Sequence, residues 1–538
     1  MWARIMESWR AIGNAPVWGA ALARKVHYNF KPNDLNRCRR RWRLGRNNMT
    51  MSSIRRRLPI GLAAGFAVLL PTSLRADYLD DIGYTALVAE LQAAGKAVPD
   101  GSGVSVTQTE ASTGTSTSGG VTYDAYLPDS SLFTGVTITN ASASAYPATF
   151  SGHANVVGQY LYGDASMARG ISSVTAYLAD DWIESGFLNA TSGISHTAPK
   201  VESNDVFNAS WVGSTGSAAN DKIVLNRLDY AIQRDDFVAV VATNNGSTPE
   251  NLPASAYNVI SVGLTNGNHA SGTSTVNTSV TFPQLVVPMG VTSYATPVVS
   301  SAAALLIQTA RASATTSTNG SKSEAIKAIL LAGATKDEFA SWSRTDTAPL
   351  DATFGAGELN VQNSYHILTA GEQTANSTVA ATGWDFGSIS RTATTTYSFD
   401  LASSGDVSIV LTWNAIYTGG NYNSLTLGLA NLDLYLYAVD AGGGQTLVQQ
   451  SVSTGNIEEI WATNLNAGDY IMKVTYGSNS FGSLSSIEYA LAWQTTALDV
   501  TAVPESSWTA GGIAVALVIV ISARRRRLVQ AVRPAAAR

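Results

Sequence analysis

The segment Thr292-Ser293-Tyr294-Ala295-Thr296-Pro297 runs directly into the small, apolar stretch Val298 to Ile307. A serine at the mouth of a buried, Ala-rich helix is placed for nucleophilic chemistry. The helix start offers N–H groups and a partial positive charge where an oxyanion forms. The same residues also make a polar turn in which Thr292 or Ser293 caps a core helix, and the motif alone does not separate the two. A serine nucleophile needs a base, and histidines are few: beyond residue 76 there are only His153, His196, His269 and His366. Their spacing does not suit a metal, and the aspartates form no EF-hand loop, so no metal or cofactor is expected.

The surrounding elements decide what such a serine can do. Asp77 to Ala94 has helical spacing and a Gly95 stop, and Val104 to Glu110 reads as a strand. Further extended runs are Val174 to Leu178, Val201 to Trp211, Phe237 to Ala242 and Val259 to Val262, alternating with helical Asp221 to Ile232 and Ser323 to Ala332. This alternation predicts an α/β domain with a mostly parallel, two-sided sheet. After about Ala370 the texture changes to short strands between Gly/Asn/Ser turns: Tyr397–Leu401, Val407–Trp413, Leu432–Val439, Leu447–Val452, Tyr470–Tyr476 and Ile487–Trp493. That pattern predicts an antiparallel β-sandwich.

Charge is distributed unevenly. Asp77 to Ala523 carries 13 basic and 37 acidic residues, a net of −24, while the basic residues crowd the ends. Such a body repels nucleic acid, so no nucleic-acid partner is expected, and it suits an exported protein. Met51 to Ala76 has the charged, apolar and small-residue order of a secretory signal. Cys38, the only cysteine, lies upstream of it, so the exported part has no disulfides. The division expected is an upstream extension over 1–48, a signal peptide over 49–76, an α/β domain over 77–370, a sandwich over 371–500 and a tail over 501–538. In the tail, Val503-Pro504-Glu505-Ser506, the apolar run Trp508 to Ala523 and Arg524 to Arg527 form a marginal membrane span with a basic stop.

Four segments, taken in chain order, resemble the subtilisin-like serine peptidases over roughly Gly101 to Asn363. Ser151-Gly152-His153-Ala154-Asn155-Val156-Val157-Gly158 resembles the family's HGTHVAG block, and Asn208-Ala209-Ser210-Trp211-Val212-Gly213 its NMSLGG strand. Val241-Ala242-Thr243-Asn244-Asn245-Gly246 resembles AAGNEG, and Thr292 to Pro297 resembles TSMATP. The resemblance implies a subtilisin-like three-layer fold, with Ser293 as nucleophile, His153 as base and Asn244 as side-chain oxyanion donor. It also implies that Ser210, Trp211 and Gly213 bind an extended polypeptide substrate. The family's first strand ends in Asp; here Val104 to Ala111 puts Glu110 at that place, and a Glu can orient a His. Asp124 is the reserve acid, and Asp180 and Asp181 follow a later strand.

Other departures are Val291 before Thr292, a short stretch between Val262 and Gly290, and too few residues between Ala76 and Gly101 for a folded inhibitory propeptide. The run Asp433 to Tyr437 and the later AGDYIMKV resemble pre-peptidase C-terminal sandwiches. The tail resembles the PEP-CTERM sorting signal, which implies exosortase-type machinery, a membrane contact through the C-terminal helix and the envelope or exterior of a Gram-negative bacterium. The function expected is therefore an exported serine endopeptidase. Its rivals are a non-catalytic surface or biofilm-matrix protein on the same scaffold and a tethered adhesin.

Overall fold

The computed structural model describes residues 78–497 apart from 144–145, 192–194, 314–315, 317, 478–481 and 483. The upstream stretch, the signal-like segment and the tail lie outside the described residues. Among those described, no helix is long and apolar enough to cross a membrane.

The helix expected over Asp77 to Ala94 is two pieces, Tyr78–Asp81 and α1 (Tyr84–Ala93). They part at Gly83, whose φ of 73° is left-handed and whose missing Cβ would lie 2.9 Å from Asn360 Oδ1. Seven strands build the main sheet: β1 (Ser105–Glu110), β2 (Thr137–Asn140), β3 (Ser173–Leu178), β4 (Val206–Ala209), β5 (Val238–Ala242), β6 (Ile260–Leu264) and β7 (Leu285–Val287). Their spatial order is β7-β6-β5-β4-β1-β3-β2. Every pairing within it is parallel. Helices cover both faces, so β5 and β6 are buried at every residue, β5 being apolar throughout and β6 apolar apart from Ser261. Only Val206 to Ala209 of the expected extended run Val201 to Trp211 is strand. Ahead of it, carboxylates take over the backbone amides: Glu202 Oε1 accepts from Asn204 N–H (2.9 Å) and Asp205 Oδ2 from Ser105 N–H (2.9 Å).

The helices are α2 (Gly152–Leu161), α3 (Ala218–Asp235), α4 (Thr292–Arg311), α5 (Ser323–Ala332) and α6 (Val361–Thr369). The long helix α4 packs against β4, β5, β6 and α2. Its run of Ala, Ser and Val allows that close approach on several sides, and Ala302, Ala303 and Ala304 are fully buried.

The C-terminal sandwich consists of two antiparallel sheets, apart from one short parallel edge pairing. Its strands are β8 (Ser377–Thr378), β9 (Gly383–Ser390), β10 (Thr394–Leu401), β11 (Gly405–Thr412), β12 (Leu432–Val439), β13 (Gln445–Ser451), β14 (Ile457–Leu465), β15 (Gly468–Tyr476) and β16 (Ser486–Ala497). One sheet runs β8-β10-β15-β12-β13 and the other β9-β16-β11-β14. Sequence reading missed β9 and β14. The first contains two glycines, and the second carries Glu458 and Glu459 straight after its first residue, both completely buried.

Glu459 belongs to the seam between the two parts, its Oε1 3.0 Å from Lys336 Nζ, while Glu458 accepts from Ser451 and Ser453 within the sandwich. Every residue of α5 is buried. The helix packs against β5 and α4 on one side and against β9, β11 and β16 of the sandwich on the other. One apolar cluster runs from Ile326 and Leu330 into Trp384, Val410, Ile457 and Ala492. Each such Ile or Leu contributes about 1.5–3 kcal/mol on burial. Polar groups cross too: Asn414 Nδ2 donates to Glu324 Oε1 (2.6 Å), Gln494 Nε2 to Ala332 O (3.1 Å) and Asn456 Nδ2 to Tyr257 O (2.9 Å).

Buried glutamates at the seam and in the sandwich make stability pH-dependent. Burial, with Asp236 nearby, pushes the Glu324 carboxyl up to about 7, and burial pushes Glu458 up to about 8, from an ordinary value of 4.5. Between pH 4.5 and 8 the folded state therefore holds more protons than the unfolded chain, so stability falls as pH rises. The expected result is a urea midpoint that drops from pH 5 to pH 8, with a shallower slope in Glu324→Gln. A midpoint that rises over this interval contradicts it.

Candidate active site

The site begins with an unusual strand. Though it lies inside the sheet, β1 carries Thr107, Gln108, Thr109 and Glu110, all buried. Buried polar groups persist where they are hydrogen-bonded, and each of these has partners. Glu110 is the last residue of β1, at the C-terminal edge of the parallel sheet, where ligands bind in folds of this kind.

Glu110 Oε2 lies 2.7 Å from His153 Nδ1, with the two side chains 1% and 6% exposed. His153 is the second residue of α2. That helix starts at residue 152 because Ser151 has an extended backbone and its Oγ accepts from Ala154 N–H (3.3 Å). The start of a helix disfavours positive charge, so an imidazolium there depends on the Glu110 carboxylate. With Nδ1 committed to Glu110, Nε2 is the ring nitrogen placed to act as base.

Ser293 is the second residue of α4 and is 2% exposed. The cap position is Val291, which makes no side-chain cap bond, so neither Thr292 nor Ser293 caps the helix. The capping alternative fails on geometry. The Thr292 N–H is instead satisfied by Asn245 Oδ1 (3.0 Å), from the turn after β5. Helices α2 and α4 abut at this end, with the Tyr294 ring centroid 6.2 Å from that of His153 and 5.8 Å from that of Tyr160. Burial, then Tyr160 and Glu110, pushes the Tyr294 hydroxyl upward, so it stays protonated.

Asn244 follows β5 and its Nδ2 donates to Thr248 O (2.9 Å), within its own turn. Ser210 Oγ accepts from Asn208 Nδ2 (3.0 Å), and Asn208 Oδ1 accepts from Ser300 Oγ of α4 (2.9 Å), tying β4 to the central helix. The Trp211 side chain is in the core, its Nε1–H donating to Thr109 Oγ1 (2.8 Å). Gly213 exchanges two backbone hydrogen bonds with Leu252, both 2.9 Å. Asp124 accepts from Ser112 Oγ (3.1 Å), and Asp181 accepts from Ala143 N–H (3.0 Å). Burial, with Glu184 and Asp124, pushes Asp180 up to about 6. Among these carboxylates, it is Glu110 that the structure brings to His153.

The other histidines have structural partners. His269 accepts from Leu264 N–H at Nδ1 (3.0 Å) and its Nε2 meets Thr353 O (2.9 Å). His196 Nδ1 meets Gly420 O (2.9 Å), and His366 pairs with Glu90 (2.9 Å). Among the described residues no group of three or more His, Cys, Asp and Glu is arranged to hold a metal ion. Sequence reasoning missed Gln108, Tyr162 and Asn245. Gln108 alone left a trace, since it precedes Glu110 by two and so shares its face of the strand.

The parallel sheet, the buried central helix and the carboxylate–imidazole pair at the sheet's C-terminal edge define the class: a three-layer α/β domain followed by a β-sandwich. Residues 172–357 match the model of the Subtilase family, a span that contains Asn244 and Ser293 and begins after Glu110 and His153. No curated protein matches the chain. Among solved structures, the chain is similar to a protease from Pseudoalteromonas arctica PAMC 21717, with 16% identity, 54% of this chain and 96% of that chain covered, and a TM-score of 0.32. It is also similar to the pre-peptidase C-terminal domain of a collagenase from Bacillus anthracis, with 17% identity, 22% and 92% coverage, and a TM-score of 0.16.

Proposed function

We propose that the protein is an exported serine endopeptidase acting through an acyl-enzyme on Ser293. The observation that carries this reading is the buried 2.7 Å Glu110–His153 contact beside the first turn of α4. Ser293 Oγ adds to the scissile carbonyl while its proton passes to His153 Nε2. Collapse breaks the C–N bond, and the same proton leaves with the amine. Water then repeats the sequence on the ester and releases the acid. Glu110 holds the imidazole in the Nδ1–H tautomer and stabilises its charged form. The Ser293 N–H at the helix start, with Asn244, supports the oxyanion, one such donor being worth about 3 kcal/mol.

Export is supported by the signal-like segment Met51 to Ala76 and the acidic body, and sorting at the envelope by the tail beyond Thr501. A non-catalytic scaffold is the rival reading, and the Asn244 amide turned to Thr248 O favours it. A fluorophosphonate probe separates the two. The wild-type protein should label at one residue, and Ser293→Ala should abolish labelling with no change in the unfolding midpoint. A folded wild-type protein that does not label refutes the peptidase reading.

A further inference from the structure

Glu110 has two carboxylate oxygens, and only one faces His153. The other, Oε1, accepts from Gln108 Nε2 at 2.7 Å. The same Gln108 nitrogen donates to Ala154 O (3.1 Å), the carbonyl of the residue after His153. At the far end of its amide, Gln108 Oε1 accepts from Tyr162 O–H (2.7 Å). Gln108 is fully buried, Glu110 is 1% and Tyr162 2% exposed, so water has little access to replace any of these partners.

The orientation of the Gln108 amide follows from its neighbours. Two acceptors, Glu110 Oε1 and Ala154 O, sit on one side, which forces the NH2 there and the oxygen toward Tyr162. Burial and the Glu110 charge push the Tyr162 phenol well above its ordinary range, so it stays a donor. The donors then run in one direction, from Tyr162 to Gln108 to Glu110. His153 Nδ1–H donates to the opposite side of the same carboxylate.

We propose that Gln108, locked by Tyr162, is a positioning residue that holds Glu110 on His153. Glutamate has one more rotatable bond than aspartate, so its carboxylate needs a second anchor to keep one oxygen on the imidazole. Gln108 supplies that anchor and joins β1 to α2 at the histidine.

The proposal rests on the peptidase reading for its kinetic readouts, and a spectroscopic one keeps the two separable. The tests use Gln108→Leu, which removes both ends of the amide, and Tyr162→Phe, which removes only the lock. In Gln108→Leu, the acylation rate per folded molecule should fall about 10–100-fold, the range typical of outer partners that orient an active group. KM should hold. The low-field proton signal of His153 Nδ1–H should broaden or shift. Tyr162→Phe should give smaller changes in the same directions.

A merely structural role would lower the unfolding midpoint and leave the per-molecule rate and the resonance in place. That result in either folded variant overturns the proposal. If the wild-type protein fails to label with fluorophosphonate, the peptidase reading falls. The His153 resonance in the two variants still decides whether Gln108 positions the pair.

Discussion

Glu110→Gln should lower turnover by about 10⁴-fold, the loss seen when a triad carboxylate becomes an amide. The size follows from the surroundings of the side chain rather than from lost charge alone. Gln108 Nε2 is fixed against Glu110 Oε1 and Ala154 O, so it presents a donor to residue 110. An amide at 110 must turn its oxygen to that donor and its NH2 to His153 Nδ1. The histidine is then held with Nδ1 as acceptor and Nε2 protonated, the tautomer that cannot take a proton from Ser293. The measurement is kcat and fluorophosphonate labelling rate against an unchanged unfolding midpoint. A variant within tenfold of wild type would remove Glu110 from this role.

Lys336→Met should destabilise the protein by about 3–5 kcal/mol, because it strands a buried charge. Lys336 Nζ lies 3.0 Å from Glu459 Oε1 across the seam, with side chains 2% and 0% exposed. The ammonium also lies 4.8 Å from the Trp461 ring centre and 5.3 Å from that of Trp342. Burial pushes Glu459 up to about 7, opposed chiefly by Lys336 and then Arg344. Removing the lysine leaves a carboxylate without its nearest counter-charge. Removing both charges leaves an apolar contact, so Lys336→Met with Glu459→Leu should recover most of the loss. Urea unfolding of the two single variants and the double variant reads the coupling. A single variant with the wild-type midpoint would show that the pair does not hold the seam. Because one apolar cluster spans both parts, the wild-type protein should unfold in one transition.

The elements legible in the sequence were those with a local physical signature. The apolar runs of β5 and β6, the helical spacing of α3 and α5, and the alternation in β12 each betray a period or a composition that neighbours need not supply. Ser293 was visible because small residues follow it, and His153 because histidines are rare. The strands β9 and β14 were not legible, since Gly383, Gly387, Glu458 and Glu459 argue against a strand until cross-strand partners and a seam satisfy them. The helix start at Val291 was hidden for a related reason. Its first N–H is satisfied by Asn245, which is remote in sequence.

The sequence by itself determined the order of the parts, the small-residue helix behind Ser293 and the presence of a glutamate where the resembling family has an aspartate. Those are properties of residue type and near neighbours, and they survive without knowledge of the fold. Only the tertiary structure decided that Glu110, and not Asp124, reaches His153. It alone decided that Gln108 and Tyr162 stand behind that contact, and that the sandwich shares a core with α5. A hydrogen bond of 2.7 Å between residues 43 apart depends on where a strand end and a helix start meet, and the pairing of β1 with β3 and β4 fixes that meeting.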